Sequence, residues 1–272
     1  MSAVVWCNGE FREGPLAIAP GDRGLTHGLG VFETLLAVDG EVRALELHLE
    51  RMRHGAGVLG LDAAWVDEEG LGPAIVGLLE RCGLGVGRAR VRISLSAGSG
   101  ELRALAPGAD ALLWISASRV ADPPESMKLV TASFPRNEAS PLAGIKAFAY
   151  AENLLALDEA RRAGADEALF YNTRGELCEA TTSSVFLFNG EKVLTPPLSS
   201  GCLPGTMRRR VLEFCRSSGI PVEEVTLTKV DLAQASHAFI TSAIRGVVPV
   251  AEIDGRLLEP RCPEVLVRLR TL

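Results

Sequence analysis

The chain has 272 residues, 47% of them hydrophobic, and a formal net charge of -6. This length supports one large domain or two moderate ones with a substantial core. The acidic balance argues against a nucleic acid or an anionic membrane surface as the main partner, so a small molecule or another protein fits better.

In chain order, Val4–Cys7, then Asn8-Gly9, then Glu10 onward reads as a β-hairpin; residues 31–38, Asp39-Gly40 and 41–43 signal a second. No targeting segment precedes the first strand signal, and no apolar run reaches bilayer length, so a cytoplasmic protein is expected. Between the hairpins, Pro20 to Gly30 is a glycine-rich loop that feeds a strand, whereas dinucleotide and P-loop signatures need the glycines to open a helix. Helical spacing follows at 45–59, with Leu45, Leu49 and Met52 on one side, and at about 64–82. Strands are expected at 89–96 and 111–118.

The Pro-rich stretch near Pro123-Pro124 divides the chain into domains 1–120 and 127–272, with 121–126 as linker. The second half should hold a strand near 128–133, a helix at 150–163 ended by Gly164, and the strand Glu167–Tyr171. Strands near Ser184–Phe188 and Val193–Thr195, a helix from about Pro204 to Ser217, strands at 222–226, 238–241 and 247–253, and a helix at 263–269 complete it. Many strands, interrupted by helices without strict alternation, indicate an α+β architecture.

The six cysteines are scattered, without zinc or redox spacing, and read as reduced thiols. The four histidines, His27, His48, His54 and His237, form no metal-ligand pattern, and no serine, histidine and acid spacing suggests a hydrolase triad. Glu33, Glu46, Glu50, Glu176 and Glu179 are available acids or bases.

The lysines are Lys128, Lys146, Lys192 and Lys229. Lys192 follows a turn dipeptide, Lys128 follows Pro123-Pro124, and Lys229 precedes Asp231, a plausible helix N-cap; all three read as surface charges. Lys146 lies in the apolar run Gly144-Ile145-Lys146-Ala147-Phe148. It is either a lysine snorkelling from a partly buried segment or a desolvated amine suited to nucleophilic catalysis. Gly205-Thr206-Met207-Arg208 puts backbone N–H groups at a helix start, which suits a phosphate or merely water. The Ser242-Ala243 segment either approaches a phosphate with its backbone or turns a strand. Arg51 is either a bidentate countercharge or a solvated helix residue. Glu179 would hold a cationic ring nitrogen protonated if buried beside one, and is otherwise a surface glutamate.

Taken in order, Asp22-Arg23-Gly24, Gly30-Val31-Phe32-Glu33-Thr34, His48-Leu49-Glu50-Arg51, Gly144-Ile145-Lys146, Asp166-Glu167-Ala168 to Glu179, Gly205-Thr206-Met207-Arg208 and the Ser242 to Val250 segment resemble the class IV aminotransferases. These are fold-type IV pyridoxal-phosphate enzymes, and the likeness covers nearly the whole chain. It implies a two-domain fold like that of D-amino-acid aminotransferases, with a small N-terminal α/β domain and a larger C-terminal, cofactor-binding domain with a barrel-like sheet. It implies pyridoxal 5'-phosphate as cofactor, carried by Lys146, with Glu179 facing the ring nitrogen. Arg51, the backbone of Thr206 and Met207, and Ser242-Ala243 would hold the phosphate. Tyr150, one helical turn beyond Lys146, would reach the phenolic oxygen. A small amino substrate and a homodimer are implied.

Within the family, Val31 to Thr34 and Ser242 to Val250 most resemble aminodeoxychorismate lyases, in which a threonine at the position of Thr34 assists proton transfer. That implies conversion of 4-amino-4-deoxychorismate to 4-aminobenzoate and pyruvate. The alternative is transamination between a branched-chain or D-amino acid and a 2-oxo acid. Ala97 stands where many relatives have a carboxylate-binding arginine, and Leu29 where an acidic residue is usual, leaving Arg103 or Arg136 as candidate anchors.

Overall fold

The computed structural model describes all residues except 1–3, 102–104, 106–107 and 260–262. The described residues form two compact units, one comprising Met1–Asp122 with Ile145–Ala149, the other Pro123–Gly144 with Tyr150–Leu272. The short segment carrying Lys146 thus runs with the first unit.

In the first unit, β1 (Val4–Cys7) and β2 (Glu10–Glu13) pair through Asn8-Gly9, and β3 (Gly30–Val38) turns at Asp39-Gly40 into β4 (Glu41–Val42). Asn8 and Asp39 have positive φ, 47° and 51°, as the expected two-residue hairpin turns require. The glycine-rich loop contains a short helix, α1 (Arg23–His27), absent from the expectation. Asp22 caps it by accepting from the Gly24 N–H at 2.6 Å, a local side-chain interaction with no hydrophobic periodicity. Next come α2 (Leu45–Val58), α3 (Glu68–Arg81), β5 (Arg88–Ser96) and β6 (Leu113–Arg119). Helix α3 starts later than expected because Asp67 caps it, accepting from the Gly70 N–H at 2.6 Å. The strands form an antiparallel sheet in the order β2-β1-β6-β5-β3-β4. Leu35 and Ala37 from β3, Leu49, Met52 and Ala56 from α2, and Ile75 and Leu78 from α3 share one buried core.

In the second unit, β7 (Met127–Thr131), α4 (Ala151–Arg162), β8 (Glu167–Tyr171), β9 (Leu177–Ala180), β10 (Ser184–Phe188), β11 (Val193–Thr195), α5 (Thr206–Ser217), β12 (Val222–Glu224), α6 (Lys229–Gln234), β13 (His237–Ser242), β14 (Gly246–Ile253), β15 (Arg256–Leu257) and α7 (Glu264–Leu269) follow in order. The sheet runs β12-β11-β10-β13-β14-β7-β8-β9, with β15 on β14. Strand alternation divides its side chains. Phe186 and Phe239, stacked at 4.8 Å between ring centroids, join a core with Val211, Leu212 and Cys215 of α5 and Leu266 of α7. Val185, Leu187 and Ile240 join a separate core that includes Leu232 of α6. Thr228, rather than Asp231, is the N-cap of α6; Asp231 completes a capping box by accepting from the Thr228 N–H at 2.7 Å.

Candidate active site

Residues 145–149 are extended, not helical, and lie along β3. The Phe32 N–H donates to the Lys146 carbonyl at 2.9 Å, and the Phe148 N–H donates to the Gly30 carbonyl at 2.8 Å. A Cβ at position 30 would fall 2.4 Å from the Phe148 ring, so glycine is what permits this approach. The helical-turn relation expected of Lys146 and Tyr150 therefore fails. Backbone pairing with β3 holds Lys146 extended, while Tyr150 is the N-cap of α4.

The Lys146 ammonium lies 4.5 Å from the centroid of the Phe32 ring, and the Arg92 guanidinium carbon 3.8 Å from it. Both distances are within cation–π range. Thr34 is half-buried and faces the same side of β3 as Phe32, directly across from Arg92 in β5. Sequence reasoning missed Arg92; the alternation of Arg88, Arg90 and Arg92 along β5 was the available signal.

Glu33 points to the opposite side, toward α2, and is fully buried. Arg51 donates from Nε to Oε1 at 2.7 Å and from Nη2 to Oε2 at 2.6 Å. His48 Nδ1 lies 2.6 Å from Oε2 and must be the donor if the carboxylate is ionised. Burial pushes the Glu33 carboxyl up, but the Arg51 charge and the hydrogen bonds from Arg51 and His48 outweigh it, leaving the group at about 2. Burial also pushes His48 down, against the pull of Glu33. Arg51 is thus no solvated helix residue: its guanidinium is fixed in plane by a buried carboxylate.

In the second unit Glu179 lies on β9, a strand the sequence reading did not anticipate because it is only four residues long. Its Oε2 accepts from the Leu203 N–H at 2.9 Å, and Arg136 Nη2 lies 3.6 Å from Oε1. Arg136 also pairs with Glu152 at 3.1 Å and stacks 4.2 Å above the Phe170 ring. Arg136, considered as a substrate anchor, is here a partner of Glu179; Arg103 lies outside the described residues.

The two phosphate candidates, distant in sequence, meet at Ser184. Gly205, the N-cap of α5, has no room for a side chain, since a Cβ would come 2.6 Å from the Ser184 hydroxyl oxygen. Across the sheet Ser184 pairs with Thr241, the residue before Ser242, and the Thr241 hydroxyl is buried without a hydrogen-bond partner among the described residues. Ser242 accepts through Oγ from the Arg245 N–H at 3.2 Å, bracing the turn that contains Ala243. The dipole of α5 adds partial positive charge beside Thr206 and Met207. Tyr150 donates to the Thr181 carbonyl at 3.1 Å. Within the second unit, a strand-held carboxylate and two segments of small and hydroxylated residues beside a buried hydroxyl with bonding capacity to spare suit the ring nitrogen and the phosphate of pyridoxal 5'-phosphate, and the first unit carries a lysine amine of the kind that cofactor needs.

Residues 30–253 match the model of amino-transferase class IV. The chain belongs to that family. A putative branched-chain-amino-acid aminotransferase of Methanocaldococcus jannaschii is 31% identical over 93% of this chain and 89% of its own length. The aminodeoxychorismate lyase of Bacillus subtilis is 26% identical over 92% of this chain and 87% of its own. The branched-chain aminotransferase of the thermophilic archaeon Thermoproteus uzoniensis, solved with norvaline, superposes with a TM-score of 0.87 at 27% identity, over 99% of this chain and 94% of that one. As a class IV aminotransferase, this protein is a pyridoxal-phosphate enzyme of fold type IV, with a small N-terminal sheet and a curled half-barrel C-terminal sheet.

Proposed function

We propose that the protein is an aminotransferase that passes an amino group from a branched-chain or D-amino acid to a 2-oxo acid. The observation that carries this choice over the lyase is the 31% identity, along nearly the whole chain, to the Methanocaldococcus jannaschii putative branched-chain aminotransferase, against 26% to the Bacillus subtilis lyase.

Pyridoxal 5'-phosphate, when bound, supplies the electron sink that lets a Cα–H bond ionise. Lys146 would carry the cofactor, and its amine is the group that would move the Cα proton. Glu179 holds the proton on the pyridine nitrogen, with Arg136 and the Leu203 N–H keeping its carboxylate oriented. Arg51, the N–H groups of Thr206 and Met207, and Ser242-Ala243 would hold the phosphate, and Tyr150 would serve the phenolic oxygen. Arg92, stacked on the same Phe32 ring as Lys146, binds the substrate carboxylate, a role that sequence reasoning sought in Arg103 or Arg136.

One observation favours the lyase as second reading: Thr34 shares the face of β3 that presents Phe32, the ring under the Lys146 ammonium. A hydroxyl there suits proton transfer to a departing pyruvate. The test is chromatographic. Purified protein with pyridoxal 5'-phosphate and 2-oxoglutarate is incubated with L-leucine, L-valine or D-alanine, and separately with 4-amino-4-deoxychorismate. New 2-oxo acid without 4-aminobenzoate supports transamination; 4-aminobenzoate with no 2-oxo acid from any amino acid reverses the choice.

A further inference from the structure

Glu167 has no part in the chemistry above, yet it has more hydrogen-bond donors around it than an ordinary carboxylate meets. It opens β8 with its side chain 1% exposed. Oε2 accepts from the Thr181 hydroxyl at 3.1 Å and the Thr182 N–H at 2.9 Å. Oε1 accepts from the Thr182 hydroxyl at 2.6 Å, the Ser183 hydroxyl at 3.0 Å and the Arg245 guanidinium. Arg245 also donates to the Thr182 and Ser183 hydroxyls, at 2.9 and 3.0 Å. A carboxylate is kept inside a protein only when such donors replace its water.

The donors come from two places. Thr181 to Ser183 follow Glu179 along the chain, and the Thr181 carbonyl is held from α4 by Tyr150 at 3.1 Å and Asn153 at 2.7 Å. Arg245 belongs to the turn joining β13 to β14, where its own N–H donates to Ser242. One buried carboxylate therefore ties the turn after Glu179 to the turn at Ser242-Ala243. Moving either turn would strip donors from a desolvated charge, so both are held in register.

We propose that Glu167 is a positioning residue: through Arg245 it fixes the Ser242-Ala243 turn, and so sets how tightly the 5'-phosphate of the cofactor is held. This rests on the assignment of that turn to the phosphate. Glu167 touches no reacting atom, and the cofactor contact it acts on through Arg245 is the one to the phosphate.

The test compares pyridoxal 5'-phosphate with pyridoxal, which lacks the phosphate, by absorbance titration of the apoprotein of wild type, Glu167→Gln and Arg245→Gln. Arg245→Gln is the second variant because its side chain is the more exposed of the pair and its loss threatens folding less. The expected result is that both variants raise the Kd for pyridoxal 5'-phosphate about tenfold, the scale of one charge-assisted hydrogen bond, and leave the Kd for pyridoxal within about twofold. Equal proportional loss for both ligands would mean that Glu167 only supports the fold, and unchanged affinity for pyridoxal 5'-phosphate in both variants would also overturn the proposal. Wild-type protein that binds neither ligand would overturn the cofactor reading itself, which separates the two failures.

Discussion

Arg51 and Glu33 form a bidentate ion pair, Nε to Oε1 at 2.7 Å and Nη2 to Oε2 at 2.6 Å, around a carboxylate with no solvent exposure. The pair orients a guanidinium that would otherwise sample many rotamers on the helix surface, and a fixed planar fork suits an oxyanion such as a phosphate. His48 occupies the remaining flank of Oε2, so the sequence motif His48-Leu49-Glu50-Arg51 works through its first and last residues. They face one side of α2 because they are three positions apart.

This network gives the fold an acid-sensitive element. Glu33 is held at about 2, below its ordinary 4.5, so its contribution to stability is complete above about pH 4.5 and is lost as the pH falls toward 2. The whole shift is worth on the order of 3 kcal/mol. His48 acts in the same direction. Its folded value is lowered, so the unfolded chain takes up a proton first as the pH falls below 6.5, which also favours unfolding. Thermal melts from pH 7 to pH 3 should show a falling Tm for wild type and a shallower fall for Glu33→Gln, from a lower starting point. Parallel curves would show that Glu33 contributes nothing to the acid sensitivity.

Glu179→Gln should keep most of the affinity for pyridoxal 5'-phosphate but lower kcat by about 100-fold or more, the worth of a well-placed acid or base group. The glutamine still accepts from the Leu203 N–H but carries no charge for a ring-nitrogen proton. Full turnover in this variant would argue against the assigned role.

Arg92→Ala should raise KM for the amino acid about tenfold while leaving the Kd for pyridoxal 5'-phosphate unchanged. Arg92→Lys should recover part of the loss, because a point charge replaces a fork. Loss of cofactor affinity with no change in KM would move Arg92 from the substrate to the cofactor.

Burial pushes the Cys202 thiol up to about 11 and raises Cys178 as well. Both should resist iodoacetamide at about pH 8 in the folded protein and react on unfolding. Half-buried Cys82 provides the internal comparison. Rapid alkylation of Cys178 or Cys202 in folded protein would show that the core beside β9 opens readily.

Much of this could be read from the sequence because hairpin dipeptides and apolar periodicity are local. Asn8-Gly9 and Asp39-Gly40 marked their turns directly, and Leu49 and Met52 marked the buried side of α2. The failures were non-local. Tyr150 was placed one helical turn beyond Lys146 because nothing in the neighbouring residues announces that β3 will pair with residues 145–149. Gly205 and Ser242 could each be suspected of binding a phosphate, but that Ser184 joins them depends on sheet register. The partners of Arg51 and Arg245, Glu33 and Glu167, are 18 and 78 residues away, beyond any spacing rule.

That Lys146 carries the cofactor is tested most directly by borohydride reduction of the protein loaded with pyridoxal 5'-phosphate, followed by peptide mass mapping, with Lys146→Ala treated in parallel. One modified peptide, containing Lys146, is expected, with no modification in the variant. Label on Lys128, Lys192 or Lys229, or labelling that survives in Lys146→Ala, would contradict it.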